Sequence, residues 1–156
     1  VYVIENNQYA MGTSIERSAS EIRLHRRGVS FNIPGEEVDG MDVLAVRAAG
    51  EKAAEHARSG NGPYILEMKT YRYRGHSMSD PAKYRTKDEV DDVKKTRDPI
   101  DHVRMLLDKA GATEDELKVI EEEIKGIVAE AVEFAKTSPE PDVSELYTDI
   151  YLEAAQ

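Results

Sequence analysis

The sequence predicts an α/β fold with parallel, buried strands, followed by a helical C-terminal region. Residues 1–5 and 64–70 are short apolar segments bounded by turn residues, which is typical of strands. The chain between them is long and contains a helical pattern, and helices also follow the second strand. Two strands joined by a long crossover that contains a helix form a βαβ unit, so we expect the strands to be parallel and buried.

The crossover contains one clear helix. Asp42 is a favourable N-cap, and Ser59-Gly60 marks the end. Between these limits, apolar residues recur on one helical face: Val43, Leu44, Val46, Ala49, Ala53, Ala54 and Ala57. Before this helix, residues 18–27 fit either a short helix or an ordered loop, and residues 38–40 fit a short extended segment.

Helices are predicted after residue 86. Thr86 to Glu89 and Thr113 to Glu116 have the capping-box pattern, and Asp98-Pro99 is a typical helix start. We expect the first of these helices to end near Lys95. The last helix carries an amphipathic stripe, Leu117, Ile120, Ile124, Ile127, Val128, Ala131 and Phe134, before Pro139 and Pro141. The apolar residues of the tail, Leu146, Tyr147, Ile150 and Tyr151, are expected to dock on another surface.

Composition excludes several classes of protein. The 156 residues include 31 acidic and 21 basic side chains, a formal net charge of −10, which argues against a general binder of nucleic acids or anionic membranes. There is no cysteine, so there is no disulfide and no thiolate metal site. No signal-peptide or membrane-spanning pattern is present, and we expect a soluble intracellular protein. Because the chain opens on Val1 within a strand-like segment, we interpret it as part of a longer protein.

A basic loop follows the strand at 64–70. Arg72, Arg74 and His76 alternate, so in an extended backbone they would lie on one side and concentrate positive charge in an acidic chain. Arginine offers a fork of donors to phosphate or carboxylate groups, so the loop is a candidate anion site. A solvent-exposed connection with no ligand is about equally compatible with the composition.

Two side chains are candidates for chemistry on weaker grounds. Asn7 follows the first strand, where an amide oxygen suits Mg²⁺, although an Asn-Asn pair is more often only a turn. His76 is a candidate phosphate donor or proton carrier. The other histidines, His25, His56 and His102, lack ligand spacing and are interpreted as structural or surface residues.

Several motifs, in order, resemble one family. The stretches that carry the resemblance are 5–13 (ENNQYAMGT), 38–43 (VDGMDV), 62–67 (GPYILE), 70–81 (TYRYRGHSMSDP) and 84–86 (YRT). They are similar to the C-terminal portion of the alpha subunits of thiamine-diphosphate-dependent 2-oxo acid dehydrogenases, in particular the decarboxylating component of the pyruvate type. The resemblance runs from residue 1 to about residue 151.

The resemblance implies an enzyme that decarboxylates pyruvate by means of thiamine diphosphate and Mg²⁺ and passes the acetyl group to a lipoyl arm. It also implies two partners, namely a beta subunit in a heterotetramer of two alpha and two beta chains, and the lipoyl domain of dihydrolipoyl acetyltransferase. Residues 1–86 would form the C-terminal half of the cofactor-binding domain with its active-site loops. Residues 87–156 would form a helical extension and docking tail.

The family pattern assigns roles to individual residues. Asn7 and the main-chain carbonyl of Tyr9 match metal ligands, and His76 matches the catalytic histidine that reaches the diphosphate. The remaining matches are to the cofactor site (Met11, Gly12), to the anion-binding loop (Arg72, Arg74, Ser77, Asp80, Tyr84, Arg85) and to phosphorylation positions (Ser77, Ser14).

The chain also departs from the family pattern. The Gly-Asp-Gly that supplies another metal ligand is absent, since Val38-Asp39-Gly40 lies downstream of Asn7, so we expect the fragment alone to be inactive. Arg74 stands where mitochondrial members carry His, and the segment from Pro81 to Tyr84 is shorter than theirs and lacks a phosphorylated Ser. These differences favour a bacterial, cytoplasmic origin over the mitochondrial matrix and count against regulation by a kinase.

Two other interpretations stay open on the sequence. One is the alpha subunit of a branched-chain 2-oxo acid or acetoin dehydrogenase, because no substrate-pocket residue can be identified. The other is a non-catalytic module in which the basic loop binds an anion or an acidic partner and the terminal helices form an assembly surface.

Overall fold

A computed structural model describes residues 1–148. It contains two compact units, Val1–Ala110 and a second unit that begins at Gly111. In chain order the strands and helices of the first unit are β1 (Tyr2–Asn6), β2 (Tyr9–Ala10), β3 (Thr13–Ser14), α1 (Ile15–Ser18), a 3-10 helix (Leu24–Phe31), β4 (Gly35–Asp39), α2 (Val43–Arg58), β5 (Ile65–Lys69), α3 (Lys87–Arg97) and α4 (Pro99–Lys109). The second unit contains α5 (Glu114–Thr137) and a short 3-10 helix (Val143–Tyr147).

The main sheet has three parallel strands in the order β1-β5-β4. Tyr2 lies opposite Ile65, and Gly35 lies opposite Ile65 on the other side. The predicted parallel pairing of the first and last strands is therefore confirmed. The extended segment expected at residues 38–40 is the end of β4, which adds a third strand to the sheet.

Helix α2 covers the part of the sheet that forms the core. Its N-cap is Asp42, whose carboxylate accepts hydrogen bonds from the backbone N–H groups of Leu44 and Ala45, as expected for a capping aspartate. The buried cluster joins the helix to β4 and β5 through Val38, Ala53, Tyr64, Leu66 and Met68. Apolar surface removed from water contributes about 25 cal/mol per Å², so this cluster stabilises the packing of α2 on the sheet.

The expectation that the first strand is buried is wrong for this chain. Val1, Tyr2 and Val3 are 55–62% exposed, whereas β5 is buried from Ile65 to Met68. Strand β1 lies at the edge of the sheet, where it pairs with β5 alone among the strands within residues 1–148, and the core cluster under α2 involves β4 and β5.

The segment at 18–27, which the sequence left open, contains both short helix and loop. Helix α1 ends at Ser18, and the 3-10 helix begins at Leu24. Gly28 of this second helix lies where an added Cβ would be only 2.6 Å from the backbone carbonyl oxygen of Ile33, so this close approach requires glycine.

The helix starts at Thr86 and Asp98 are confirmed, with one difference in capping. Thr86 accepts from the N–H of Glu89, but the Glu89 carboxylate accepts from the hydroxyl of Tyr71 at 2.8 Å instead of closing the capping box. Helix α3 extends to Arg97, past the expected end near Lys95.

In the second unit, the capping box at Thr113 and Glu116 is complete, and α5 ends before Pro139 as predicted. Leu117 is buried, but five other residues of the predicted stripe are about half exposed or more: Ile120, Ile124, Ile127, Val128 and Phe134. Leu146 and Tyr147 of the tail are exposed, and Ile150 and Tyr151 lie outside the described residues. No helix within residues 1–148 is both long enough and apolar enough to cross a membrane.

Candidate functional site

The candidate site lies at the carboxyl edge of the parallel sheet. Asn6, Lys69 and Asp39 are in register as the last residues of β1, β5 and β4. The backbone continues this alignment, because Thr70 N–H donates to Asn6 O and Gly40 N–H donates to Lys69 O, both at 3.0 Å. The segments that follow the three strands therefore leave the sheet side by side, which brings Asn7 and the basic loop together.

A tight turn presents Asn7. Gln8 has a φ of 74°, a left-handed conformation that is uncommon for residues other than glycine. The Asn6 carboxamide oxygen accepts from the N–H of Gln8, and the Gln8 side chain donates back to the carbonyl of Asn6, both at 3.2 Å. Beyond the turn, β2 and β3 form a small antiparallel hairpin that contains Met11 and Gly12 at its tip.

The side chain of Asn7 meets the main-chain carbonyl of Tyr9. With its nitrogen turned toward Tyr9, Asn7 donates to that carbonyl at 2.8 Å and accepts from Arg72 Nη2 at 2.9 Å. The opposite orientation directs the amide oxygen at the Tyr9 oxygen across the same 2.8 Å. In that orientation two acceptors face each other at Tyr9 and two donors face each other at Arg72, so the hydrogen bonds within the chain favour the first orientation. A cation between the two oxygens would favour the second.

Arg72 connects Asn7 to His76. Its Nη1 lies 3.4 Å from His76 Nδ1, and because arginine has only donors, Nδ1 would be the acceptor in a hydrogen bond between them. The structure thus brings together Asn7, Tyr9, Arg72 and His76. Arg74 is exposed, and its backbone carbonyl accepts from Arg85 Nη2 at 3.1 Å.

Asp80 holds the His76 loop closed. Its carboxylate accepts from the N–H of His76 at 2.7 Å, from the N–H of Ala82 at 2.8 Å and from the hydroxyl of Tyr84 at 2.8 Å. These hydrogen bonds, the one from His76 first, hold the pKa of Asp80 below its ordinary value. Asp80 in turn raises the pKa of the Tyr84 hydroxyl. Gly75 is required here, since an added Cβ would lie 2.7 Å from the carbonyl oxygen of Asp80.

Arg85 holds the first residues of the basic loop in place through hydrogen bonds to their backbone. It donates from Nη1 to the carbonyl of Arg72 and from Nη2 to that of Arg74. Its guanidinium also lies 5.1–5.9 Å from the ring centres of Tyr71, Tyr84 and Tyr9. Arg85 thus organises the loop through Nη1 and Nη2, whereas its Nε is buried without a hydrogen-bond partner among the described residues. Burial, followed by the hydrogen bond to Glu89, raises the pKa of Tyr71 to about 12.

The remaining sequence-predicted residues surround this cluster. Tyr84 lies against Tyr9, with ring centres 5.0 Å apart. A Cβ added at Gly12 would lie 3.3 Å from the Tyr84 ring. Met11 is exposed. Ser77 is exposed with its hydroxyl 3.0 Å from that of Ser79, and Ser14 is half-buried before α1.

Sequence reasoning missed a buried polar cluster beneath the turn. Glu67 of β5 is fully buried and binds Asn6 and His25. Burial would raise the pKa of Glu67, but the hydrogen bonds from the N–H of His25, from Asn6 and from the His25 ring outweigh burial and lower the pKa. The sequence feature that could have revealed this cluster is Glu67 itself, a carboxylate within an apolar strand.

Sequence reasoning also assigned no role to Arg27. This residue contributes to the lining of a cavity of about 260 Å³ beside the Asn7 turn.

This arrangement suits a metal-bound anion. Amide and main-chain oxygens are the hard ligands that Mg²⁺ accepts, and Mg²⁺ commonly bridges a protein to phosphate groups. Arg72 and the Nε2–H of His76 add donors for such an anion on the neighbouring loop.

Comparison with known proteins gives a consistent result. The chain is similar to proteins named pyruvate dehydrogenase E1 component subunit alpha. It is 61% identical over 153 residues to that of Rhizobium meliloti and 53% identical over 150 residues to that of Zymomonas mobilis. It is 50% identical over 155 residues to a mitochondrial relative from Dictyostelium discoideum. These matches cover 96–98% of the chain.

The chain spans less than half the length of these curated relatives, from 41% to 44%. A family model described as "Dehydrogenase E1 component" matches residues 1–144, nearly the whole chain. The chain therefore belongs to the dehydrogenase E1 component family.

Proposed function

We propose that this chain is the C-terminal portion of a pyruvate dehydrogenase alpha subunit. The complete enzyme would bind thiamine diphosphate and Mg²⁺, decarboxylate pyruvate oxidatively and transfer the acetyl group to a lipoyl protein. One observation carries the proposal: the Asn7 side chain meets the main-chain carbonyl of Tyr9 at 2.8 Å, and Arg72 and His76 lie beside it on the neighbouring loop. The names of the similar proteins support the same function.

The residues present fit the metal. With the Asn7 amide turned so that its oxygen faces Tyr9, Asn7 Oδ1 and Tyr9 O would supply two oxygen ligands, and the 2.8 Å between these positions suits neighbouring ligands in an octahedral Mg²⁺ shell. That orientation would end the hydrogen bond from Arg72 to Asn7. The other ligands would come from the diphosphate, from water and from a carboxylate supplied by a Gly-Asp-Gly elsewhere in the full-length protein. Met11 and Gly12 would border the cofactor on the hairpin that follows Tyr9.

The basic loop would hold the diphosphate. His76 would donate from Nε2, since Nδ1 is directed at Arg72. Asp80, Tyr84 and Arg85 would keep this loop in place through their hydrogen bonds. When bound, the cofactor supplies the electron sink for loss of CO₂, and these residues would orient it and exclude water.

The other half of the active site would come from a beta subunit, in a heterotetramer of two alpha and two beta chains. The lipoyl domain of dihydrolipoyl acetyltransferase would then receive the acetyl group. The exposed apolar residues of α5, such as Ile124 and Phe134, support an interface in the complete assembly. We assign residues 1–86 to the cofactor-binding domain, residues 87–156 to the helical extension, and the enzyme to the bacterial cytoplasm.

The test uses the full-length alpha chain that contains this segment, purified with its beta subunit. We expect pyruvate decarboxylation that depends on Mg²⁺ and thiamine diphosphate, and Asn7→Ala should weaken Mg²⁺ binding. The matched control is Asn61→Ala, which changes the same residue type in the loop after α2. Preference for branched-chain 2-oxo acids or acetoin in a substrate panel would overturn the assignment to pyruvate. A complex that binds neither Mg²⁺ nor the cofactor would favour the non-catalytic module.

A further inference from the structure

Glu67 is a buried carboxylate in the central strand of the sheet. Its side chain has no exposed surface, and its neighbours in β5 are the buried apolar residues Leu66 and Met68. A carboxylate at such a position loses its hydration, and an apolar residue of similar size would avoid that cost. Its presence is therefore informative about what the strand must hold.

Three hydrogen bonds compensate for the burial of Glu67. Oε2 accepts from the backbone N–H of His25 at 2.9 Å and from His25 Nδ1 at 2.8 Å. Oε1 accepts from the Asn6 carboxamide nitrogen at 2.7 Å. The carboxylate thus connects β5 to the 3-10 helix on one side and to the end of β1 on the other.

The bond to Asn6 determines which way the Asn6 carboxamide faces. Because its nitrogen donates to Glu67, its oxygen is directed at the N–H of Gln8, from which it accepts at 3.2 Å. Gln8 is the residue with a φ of 74°, and it lies between Asn7 and Tyr9. Glu67 therefore stabilises, through Asn6, the left-handed turn that brings the Asn7 amide and the Tyr9 carbonyl together.

We propose that Glu67 is a positioning residue for the Asn7–Tyr9 metal site and that it acts through the Asn6 carboxamide. This inference rests on the proposed function. Glu67 itself would not be a ligand of that metal. A Glu67→Gln side chain has one oxygen and one NH₂ group in place of two acceptor oxygens. Its NH₂ group would therefore face a donor, either the Asn6 carboxamide nitrogen or the N–H of His25. If Asn6 turned over to accommodate it, the conflict would move to the N–H of Gln8.

The experiment measures Mg²⁺ affinity calorimetrically in the full-length alpha–beta complex with thiamine diphosphate, for wild type, Glu67→Gln, Asn6→Ala and the double variant. Loss of a direct hydrogen-bond partner of a metal ligand weakens metal binding by about 10- to 100-fold. Asn6 and Glu67 act on the turn between the two ligands, so we expect a weakening at the lower end of that range, about 10-fold, for each single variant. The double variant should bind Mg²⁺ about as tightly as whichever single variant has the lower affinity, because both changes break the same connection.

The matched control is Glu37→Gln. Glu37 lies opposite Glu67 in the neighbouring strand, and its carboxylate lies 3.8 Å from Lys69 Nζ. We expect this control to retain wild-type Mg²⁺ affinity. Hydrogen exchange of a peptide covering residues 6–10 without cofactor gives a second readout, and the two site variants should exchange faster than wild type.

Each outcome has a distinct meaning. A melting temperature that falls in Glu67→Gln while the Mg²⁺ affinity stays at the wild-type value would overturn the positioning role. Equal weakening in Glu37→Gln would also overturn it, because the effect would then come from charge alone. If Glu67→Gln does not fold, Asn6→Ala decides, and wild-type affinity in that variant ends the proposal. A wild-type complex that fails to bind Mg²⁺ and cofactor would remove the proposed function itself.

Discussion

The hydroxyl of Tyr84 donates a 2.8 Å hydrogen bond to the carboxylate of Asp80. The ring of Tyr84 also packs on Tyr9, with centres 5.0 Å apart, so this bond links the His76 loop to the turn that carries the proposed metal ligands. Two segments that are far apart in sequence are thereby held in one arrangement. The first prediction follows from this contact.

Asp80→Ala should lower the activity of the full-length alpha–beta complex by about 100-fold, the effect expected when a catalytic group moves by about 1 Å. The variant loses the acceptor for the N–H groups of His76 and Ala82 and for the hydroxyl of Tyr84. Steady-state kinetics and limited proteolysis of the loop provide the measurement. Asp88→Ala, at an exposed site in the first turn of α3, is the control. Wild-type kinetics in Asp80→Ala would contradict the prediction.

Arg85→Lys should loosen the loop although the charge is kept. Lysine lacks the planar fork that reaches the carbonyls of Arg72 and Arg74 together and that stacks on the tyrosine rings. Hydrogen exchange of residues 72–76 should become faster. The control is Arg47→Lys, since Arg47 is exposed on α2 and pairs with Glu51 at 2.9 Å. Unchanged exchange in Arg85→Lys would show that charge alone is sufficient.

Ser77→Glu should reduce activity of the complete complex, because it adds a negative charge to a loop proposed to bind an anionic cofactor. Ser77 is exposed, and its carbonyl accepts from the N–H of Asp80 at 3.1 Å. Ser77→Ala removes the hydroxyl without adding charge and should retain most of the activity. The prediction fails if the kinetic constants of Ser77→Glu and Ser77→Ala agree.

Glu67 should contribute a pH-dependent part of the stability. Its pKa in the folded protein is lowered from 4.5, so on average this carboxyl group binds fewer protons in the native state than in the unfolded state. The contribution is fully present above pH 4.5 and is lost as the pH falls through the lowered folded-state pKa. Melting temperatures of wild type and Glu67→Gln, measured from pH 7 downward, should differ most above pH 4.5 and converge at acid pH. A constant difference across this range would rule out the linkage.

Local chemistry made much of the fold predictable. The Asp42, Asp98 and Thr113 caps mark helix starts because each side chain accepts from backbone groups one turn into its own helix. The strand at Ile65–Lys69 was recognisable from its apolar residues between turns. These signals lie within a few residues of the structure that they specify.

Other features depend on distant residues and were not predictable. Glu67 counted as one polar residue in a strand, and only the positions of Asn6 and His25 reveal that it is buried and paired. Glu89 matched the capping-box pattern, but its carboxylate accepts a hydrogen bond from the hydroxyl of Tyr71 instead. The exposure of Tyr2 depends on where α2 packs, because the core cluster under this helix involves β4 and β5, and that position is not encoded in β1 itself.

The close approach of Gly75 to Asp80 limits how this loop can vary. A single methyl group at position 75 would lie within 2.9 Å of three Asp80 atoms, including a backbone oxygen that cannot rotate away. Met78, three residues later, is fully solvent-exposed. If every amino acid were tried at position 75, selection for this loop conformation would return glycine, whereas the described part of the chain sets no comparable limit on the exposed side chain at position 78.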